Sequence, residues 1–186
     1  MRFLIPRFSL VQGVWMLVFG LVGAVIAGGY GVLHDQVTFG LGPEYFTRFK
    51  VYQFGYEGVA NPGRWVAAQI GFQASWWVGF FAGWFLGRVA IPRVALGRAV
   101  RLSFLGVGLM LGVTLVFGVG GWLWAQWRLD VAGVAQWTEA MRGFDVVDVR
   151  AFATVGYIHN ASYLGALVGL IGAVVWVRGR CLGMSG

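Results

Sequence analysis

Four apolar runs, 10–33, 65–89, 102–127 and 151–177, take up most of this chain and constrain its fold more than any other feature. A bilayer crossing needs about 20 predominantly apolar residues, and each run supplies them. With 59% hydrophobic and 11% charged residues, the chain has too little polar sequence to cover four such helices in water. The expected fold is an all-α integral membrane protein. It is a four-transmembrane-helix bundle forming a single membrane domain over 1–186, with two structured extracytoplasmic loops at 34–64 and 128–150.

Charge orients that bundle. All seven acids fall between runs one and two (Asp35, Glu44, Glu57) or between runs three and four (Asp130, Glu139, Asp145, Asp148). The opposite flanks carry Arg2, Arg7, Arg88, Arg93, Arg98, Arg101, Arg178 and Arg180 with no acid among them. Positive residues collect on the cytoplasmic side of spans. Both termini are therefore expected in the cytoplasm, with the inner arginines near anionic headgroups. The net charge of +7 belongs to these flanks rather than to a basic patch, so the expected partner is the lipid bilayer and not nucleic acid. The first run is longer than the 7–15 residues of a signal-peptide core and reads as an uncleaved span.

The segments between runs carry their own signals. Residues 37–41 suit a short extended piece. Pro43 and Glu44 suit a helix start, after which Tyr45, Phe46, Phe49, Tyr52 and Tyr56 recur at helical spacing as a short amphipathic helix. Asn61-Pro62 reads as the cap of the second span. A short helix is expected over 131–141, and Asp145 and Asp148 have N-cap spacing before the last span. Trp65, Trp122, Trp124, Trp127 and Trp137 mark one membrane boundary and Trp84 and Trp176 the other. Trp76 and Trp77 lie deeper and read as core. Gly79, Gly83 and Gly87, Gly108 and Gly112, and Gly165 and Gly169 recur at four-residue spacing, which lets helices approach closely in lipid. They serve either packing within the bundle or contact with a membrane-protein partner or a second copy.

Chemistry concentrates at the outer boundary. His34 and His159 are the only histidines, and their positions relative to the spans put them in one layer. With Asp35 and Glu44 they offer ligand types suited to a transition metal, zinc, iron or manganese. Gln69, Gln73, Asn160 and Tyr163 are the expected surrounding polar groups. The spacing forms no HExxH, ExxH pair or CxxC motif, so a hydrogen-bonded structural network is the plainer reading of the same residues. No Asp, Glu or Lys lies inside a run, and Arg88 stands only at the end of the second, which argues against an ion path across the membrane. No nucleophile elbow or phosphate loop occurs, and a single cysteine, Cys181, excludes a thiol–disulfide relay.

Two functions follow. The leading one is a non-catalytic accessory or scaffold protein with a polar cluster at its extracytoplasmic face. The rival is a membrane-embedded metal- or cofactor-binding protein or enzyme using His34, Asp35, Glu44 and His159. The charge count also predicts that a membrane-impermeant thiol reagent labels Cys181 only after cells are opened.

Overall fold

A computed structural model describes residues 8–183. Among them there is no strand. The helices are α1 (Leu10–Leu41), α2 (Val51–Gln53), α3 (Arg64–Ala90), α4 (Leu96–Arg128), α5 (Val131–Ala140) and α6 (Val149–Leu182), with a π-helical turn at Tyr45–Lys50 and a 3-10 turn at Arg142–Phe144. Three of these, α1, α4 and α6, are long and apolar enough to cross a membrane. The fourth long helix, α3, has the length at 27 residues but is diluted by Gln69, Gln73, Ser75 and four tryptophans, and is not among them. The outward faces are apolar, as at Leu10, Val25, Leu115 and Ile171. Such surface belongs in lipid.

The long helices form two antiparallel pairs, α1 with α3 and α4 with α6. In the first pair the backbones touch. A methyl group built on Gly23 or Gly79 would overlap the other's carbonyl, as would one on Gly31 or Gly71, and one on Gly83 would overlap the Phe19 carbonyl. In the second pair Gly121 meets the Tyr157 carbonyl, Gly165 meets Phe117, and Gly169 meets the Met110 backbone. Gly108 and Gly112 face open space instead. The glycine periodicity therefore has two uses: Gly79, Gly83, Gly165 and Gly169 close the pairs, while the stripe on α4 lies on its outer face. Between the pairs contact is sparser, with Leu86 against Gly106 and Val177 in one cluster.

Several local expectations change. Helix α1 runs through 37–41, because nothing breaks it before Gly42 and Pro43, and Gly42 N–H closes it on the Thr38 carbonyl. His34 and Asp35 thus lie on a helix and not in a loop. Asn61 does not cap α3; it sits at φ 50° in the preceding turn, and Gly63 occupies the cap. Asp148 does cap α6 through Ala151 N–H, whereas Asp145 adopts φ 49° in the turn before it, a conformation asparagine and aspartate tolerate. Asp130 caps α5 through Gly133 N–H. Trp76 and Trp77 are 44% and 50% exposed on the apolar outer surface, not core. Cys181 is buried, so its thiol is a poor reporter of sidedness.

The aromatic segment after Pro43 folds back over the end of the bundle. Tyr45, Phe46 and Val51 are buried, and Tyr45 and Phe46 cluster with Phe152, Val155 and Ala67. Arg64 Nη1 donates to the Gln36 carbonyl and Gln36 Nε2 to the Arg64 carbonyl, tying the end of α1 to the start of α3.

Replacing Gly71 by Ala should cost about 1–3 kcal/mol, the usual range for overpacking, because the added methyl meets the Gly31 carbonyl. Gly112→Ala, with open space around it, should be neutral or stabilising by up to about 1 kcal/mol. Denaturation in mixed micelles followed by tryptophan fluorescence compares the two.

Candidate functional site

Residues from both helix pairs meet near the loop end of the bundle. His34 and Asp35 come from α1, and His159 comes from α6. Asp35 is 4% exposed and His159 3%. Asp35 Oδ1 lies 3.1 Å from His34 Nδ1 and 3.2 Å from His159 Nε2. The two imidazoles stand edge to face with centroids 4.8 Å apart. One ligand atom from each of the three residues falls within 4.8 Å of the others. A one-turn offset along α1 places this group opposite Gly71, whose missing side chain leaves room for the carboxyl: a Cβ there would lie 3.0 Å from Asp35 Cγ.

The tautomers follow from the partners. His159 Nδ1 is 3.0 Å from the Val155 carbonyl on the same helix. A carbonyl only accepts, so Nδ1 carries the hydrogen and donates it. In a neutral ring Nε2 then holds a lone pair, and that lone pair faces the Asp35 carboxylate. Two acceptors at this separation repel unless a positive species lies between them. Either a proton there makes His159 an imidazolium, or a cation bridges the pair. At His34 the Ser162 hydroxyl lies 3.4 Å from Nε2, while Nδ1 faces Asp35.

A cavity of about 70 Å³ adjoins the three residues, with Tyr30, Ser75, Thr114 and Ser162 among its walls. That is room for a few waters. The Tyr30 hydroxyl is buried and has no hydrogen-bond partner among the described residues. Its ring sits 5.8 Å from that of His34. Tyr45 covers the opposite side, its ring 4.8 Å from His159, with Phe46 at 5.9 Å. Burial, reinforced by the nearby Tyr163 and Asp35, pushes the Tyr45 phenol far above its usual range, so it stays protonated.

The other expected site residues lie elsewhere. Glu44 does not join the group. Its carboxylate accepts from Val147 N–H and Asp148 N–H at 2.7–3.2 Å and pins the second connecting segment to the first. Gln73 Nε2 donates to the Tyr56 hydroxyl, and Gln69 lines the same surface recess as Tyr56. Asn160 is exposed on the far side of α6. Tyr163 is near, its ring 6.2 Å from His159. Sequence reasoning placed Ser162 beside His159 but passed over Tyr30 and Tyr45 as neighbours of the histidines. Helical spacing was the available signal for Tyr30, which is four residues before His34, on the same face.

Comparison with protein families, with curated proteins and with solved structures gives no match. The site therefore has to be read from its own chemistry.

Asp35→Asn keeps the shape but removes the charge that both imidazoles face. It should lower stability by about 1.5–3 kcal/mol, the usual worth of hydrogen bonds to a charged group, measured by denaturant titration in detergent. Glu44→Ala frees the two backbone N–H groups it holds. Hydrogen exchange should accelerate at 145–148 and stay unchanged at 155–163.

Proposed function

We propose that this chain is a four-helix integral membrane protein holding a divalent transition-metal ion between His34, Asp35 and His159. The observation that carries the reading is His159: its Nδ1–H is spent on the Val155 carbonyl, which turns the Nε2 lone pair onto a buried carboxylate oxygen. Backbone carbonyls orient metal-binding imidazoles in this way. A cation about 2.1 Å from both atoms would hold them at an angle of about 100°, given their 3.2 Å separation. Ligand atoms about 2.1 Å from one ion at near-tetrahedral angles are about 3.4 Å apart, so the third ligand, His34, must draw in by up to about 1.4 Å, since the ligand atoms lie within 4.8 Å of one another.

Two imidazoles and one carboxylate leave coordination positions open, the arrangement of catalytic zinc and non-haem iron centres. The cavity bounded by Tyr30, Ser75 and Thr114 adjoins all three residues, and an ion held by them would be next to it. Exogenous ligands or water have access there, so the reading is a reactive or sensing centre rather than a sealed structural one. Glu44 is not part of it.

The four-crossing architecture is supported by the seam between α1 and α3. With backbones in contact at two glycine pairs, α3 follows α1 across the bilayer despite its weaker hydropathy. The charge distribution supports both termini in the cytoplasm, with Glu44, Asp145 and Asp148 on the other side. The accessory-protein reading retains one feature, the open Gly108–Gly112 stripe on α4, as a surface for a second chain.

Elemental analysis of protein purified in neutral detergent should give about one metal per chain in wild type and Glu44→Gln, and none in Asp35→Ala or His159→Ala. Retention should fall on acidification, because imidazole must lose its proton to bind. Absence of metal after reconstitution with Zn²⁺, Fe²⁺ and Mn²⁺ would leave a proton between His159 and Asp35 and a structural triad. For sidedness, Val147, 86% exposed, should be labelled in intact cells as Val147→Cys in a Cys181→Ser background.

A further inference from the structure

Lys50 is the one lysine in the chain, and it is turned inward. It ends the π-helical turn and is 5% exposed. Four aromatic rings surround its ammonium, those of Tyr45, Phe49, Phe54 and Tyr163, with centroids at 5.6, 5.7, 5.5 and 6.0 Å. Among the described residues its hydrogen-bond partner is Gln53 Oε1 at 2.8 Å, so two of the three N–H groups of a charged ammonium lack an acceptor. No carboxylate lies within ion-pair distance of it among those residues. Burial pulls the ammonium below its ordinary pKa, and the charge of Asp35 works in the opposite direction. The carboxylate of Asp35 is itself turned to the two imidazoles. Aromatic faces attract a cation but supply no proton acceptor, and a buried charge left unpaired is costly.

The cage opens onto a groove between α3 and α6 with a cavity volume of about 510 Å³. Its polar lining groups are Lys50, Gln53, Gln73 and Tyr163, and Trp77 and Phe81 on α3 and Leu167 and Leu170 on α6 follow one or two turns further along. From Gln73 to Phe81 the groove follows α3 for about 12 Å at 1.5 Å per residue. A desolvated cation at the head of an apolar trench matches an amphiphilic anion.

We propose that this groove binds a long-chain fatty acid, its carboxylate on Lys50 and its hydrocarbon tail along Trp77, Phe81, Leu167 and Leu170. The near-complete cover over Lys50 selects the ligand class. The anion has to arrive at the tip of a chain, as a terminal carboxylate does, whereas a phosphodiester headgroup carries substituents on both sides. A carboxylate also offers two acceptor oxygens to the two unpaired N–H groups. The proposal is independent of the metal reading, because it uses no residue of the His34–Asp35–His159 group.

Native mass spectrometry of the full-length protein in neutral detergent, with palmitate, methyl palmitate and phosphatidylglycerol as probes, tests it. Palmitate should bind saturably at one per chain. Methyl palmitate, without charge, should bind wild type at least tenfold more weakly, a comparison that needs no variant. Lys50→Met should lose at least tenfold in palmitate affinity while remaining folded, and Ala166→Phe should block the groove with Lys50 intact. Equal binding of palmitate and its methyl ester, unchanged binding in a folded Lys50→Met, or preference for phosphatidylglycerol would each overturn the assignment.

Discussion

Helices in lipid are not driven together by the hydrophobic effect, since lipid tails are as apolar as the side chains they would replace. This protein depends on another contact: the backbones of α1 and α3 pressed together at Gly23 with Gly79 and at Gly31 with Gly71. No side chain fits between them. The same contact positions the site. Asp35 lies one turn beyond Gly31 on α1, and its carboxyl fits beside Gly71 where any side chain would crowd it. The packing of the first pair thus brings a carboxylate to the edge of the second pair, where His159 meets it.

A carboxylate buried this far from water is tolerated only if it is paired. Asp35 joins the two helix pairs at a level where they otherwise touch little, with one imidazole from its own helix and one from α6. The Val155 carbonyl fixes which nitrogen of His159 faces the acid, and the aromatic segment after Pro43 closes over the group through Tyr45 and Phe46. Glu44, which by residue type belonged with these ligands, serves that closure instead by holding Val147 and Asp148. The segment that covers the histidines also delivers Lys50 to the neighbouring groove. One fold-back therefore builds two chemically different environments side by side, an acid–imidazole centre and a caged cation.

Much of this was legible in the residues. Apolar run length gave the helices, because a bilayer imposes a minimum span. Acid and arginine segregation separated the two ends of the bundle. A shared layer for His34 and His159 followed from their places relative to the spans, but not that their rings meet. The local breaks were harder to place. Residues 37–41 looked extended because their composition is β-permissive, yet helix α1 continues until Gly42 and Pro43 stop it. Trp76 and Trp77 looked like core because they lie deep in a span, but depth along a helix says nothing of the face a residue occupies. The same limit hid the difference between Gly79 and Gly112, which share a spacing and have opposite surroundings.

The sequence by itself determined that the chain is helical, belongs in a membrane and gathers its acids and histidines toward one end, because span length, hydropathy and charge sign are local properties of a chain. Only the tertiary structure decided that Asp35 and not Glu44 lies with the two histidines, that Tyr30 and Tyr45 adjoin them, and that Lys50 is buried without a counter-ion among the described residues. Those outcomes depend on which helix faces meet. A packing of two antiparallel pairs, set by a few carbonyl–glycine contacts, selects them from the many that the same sequence pattern allows.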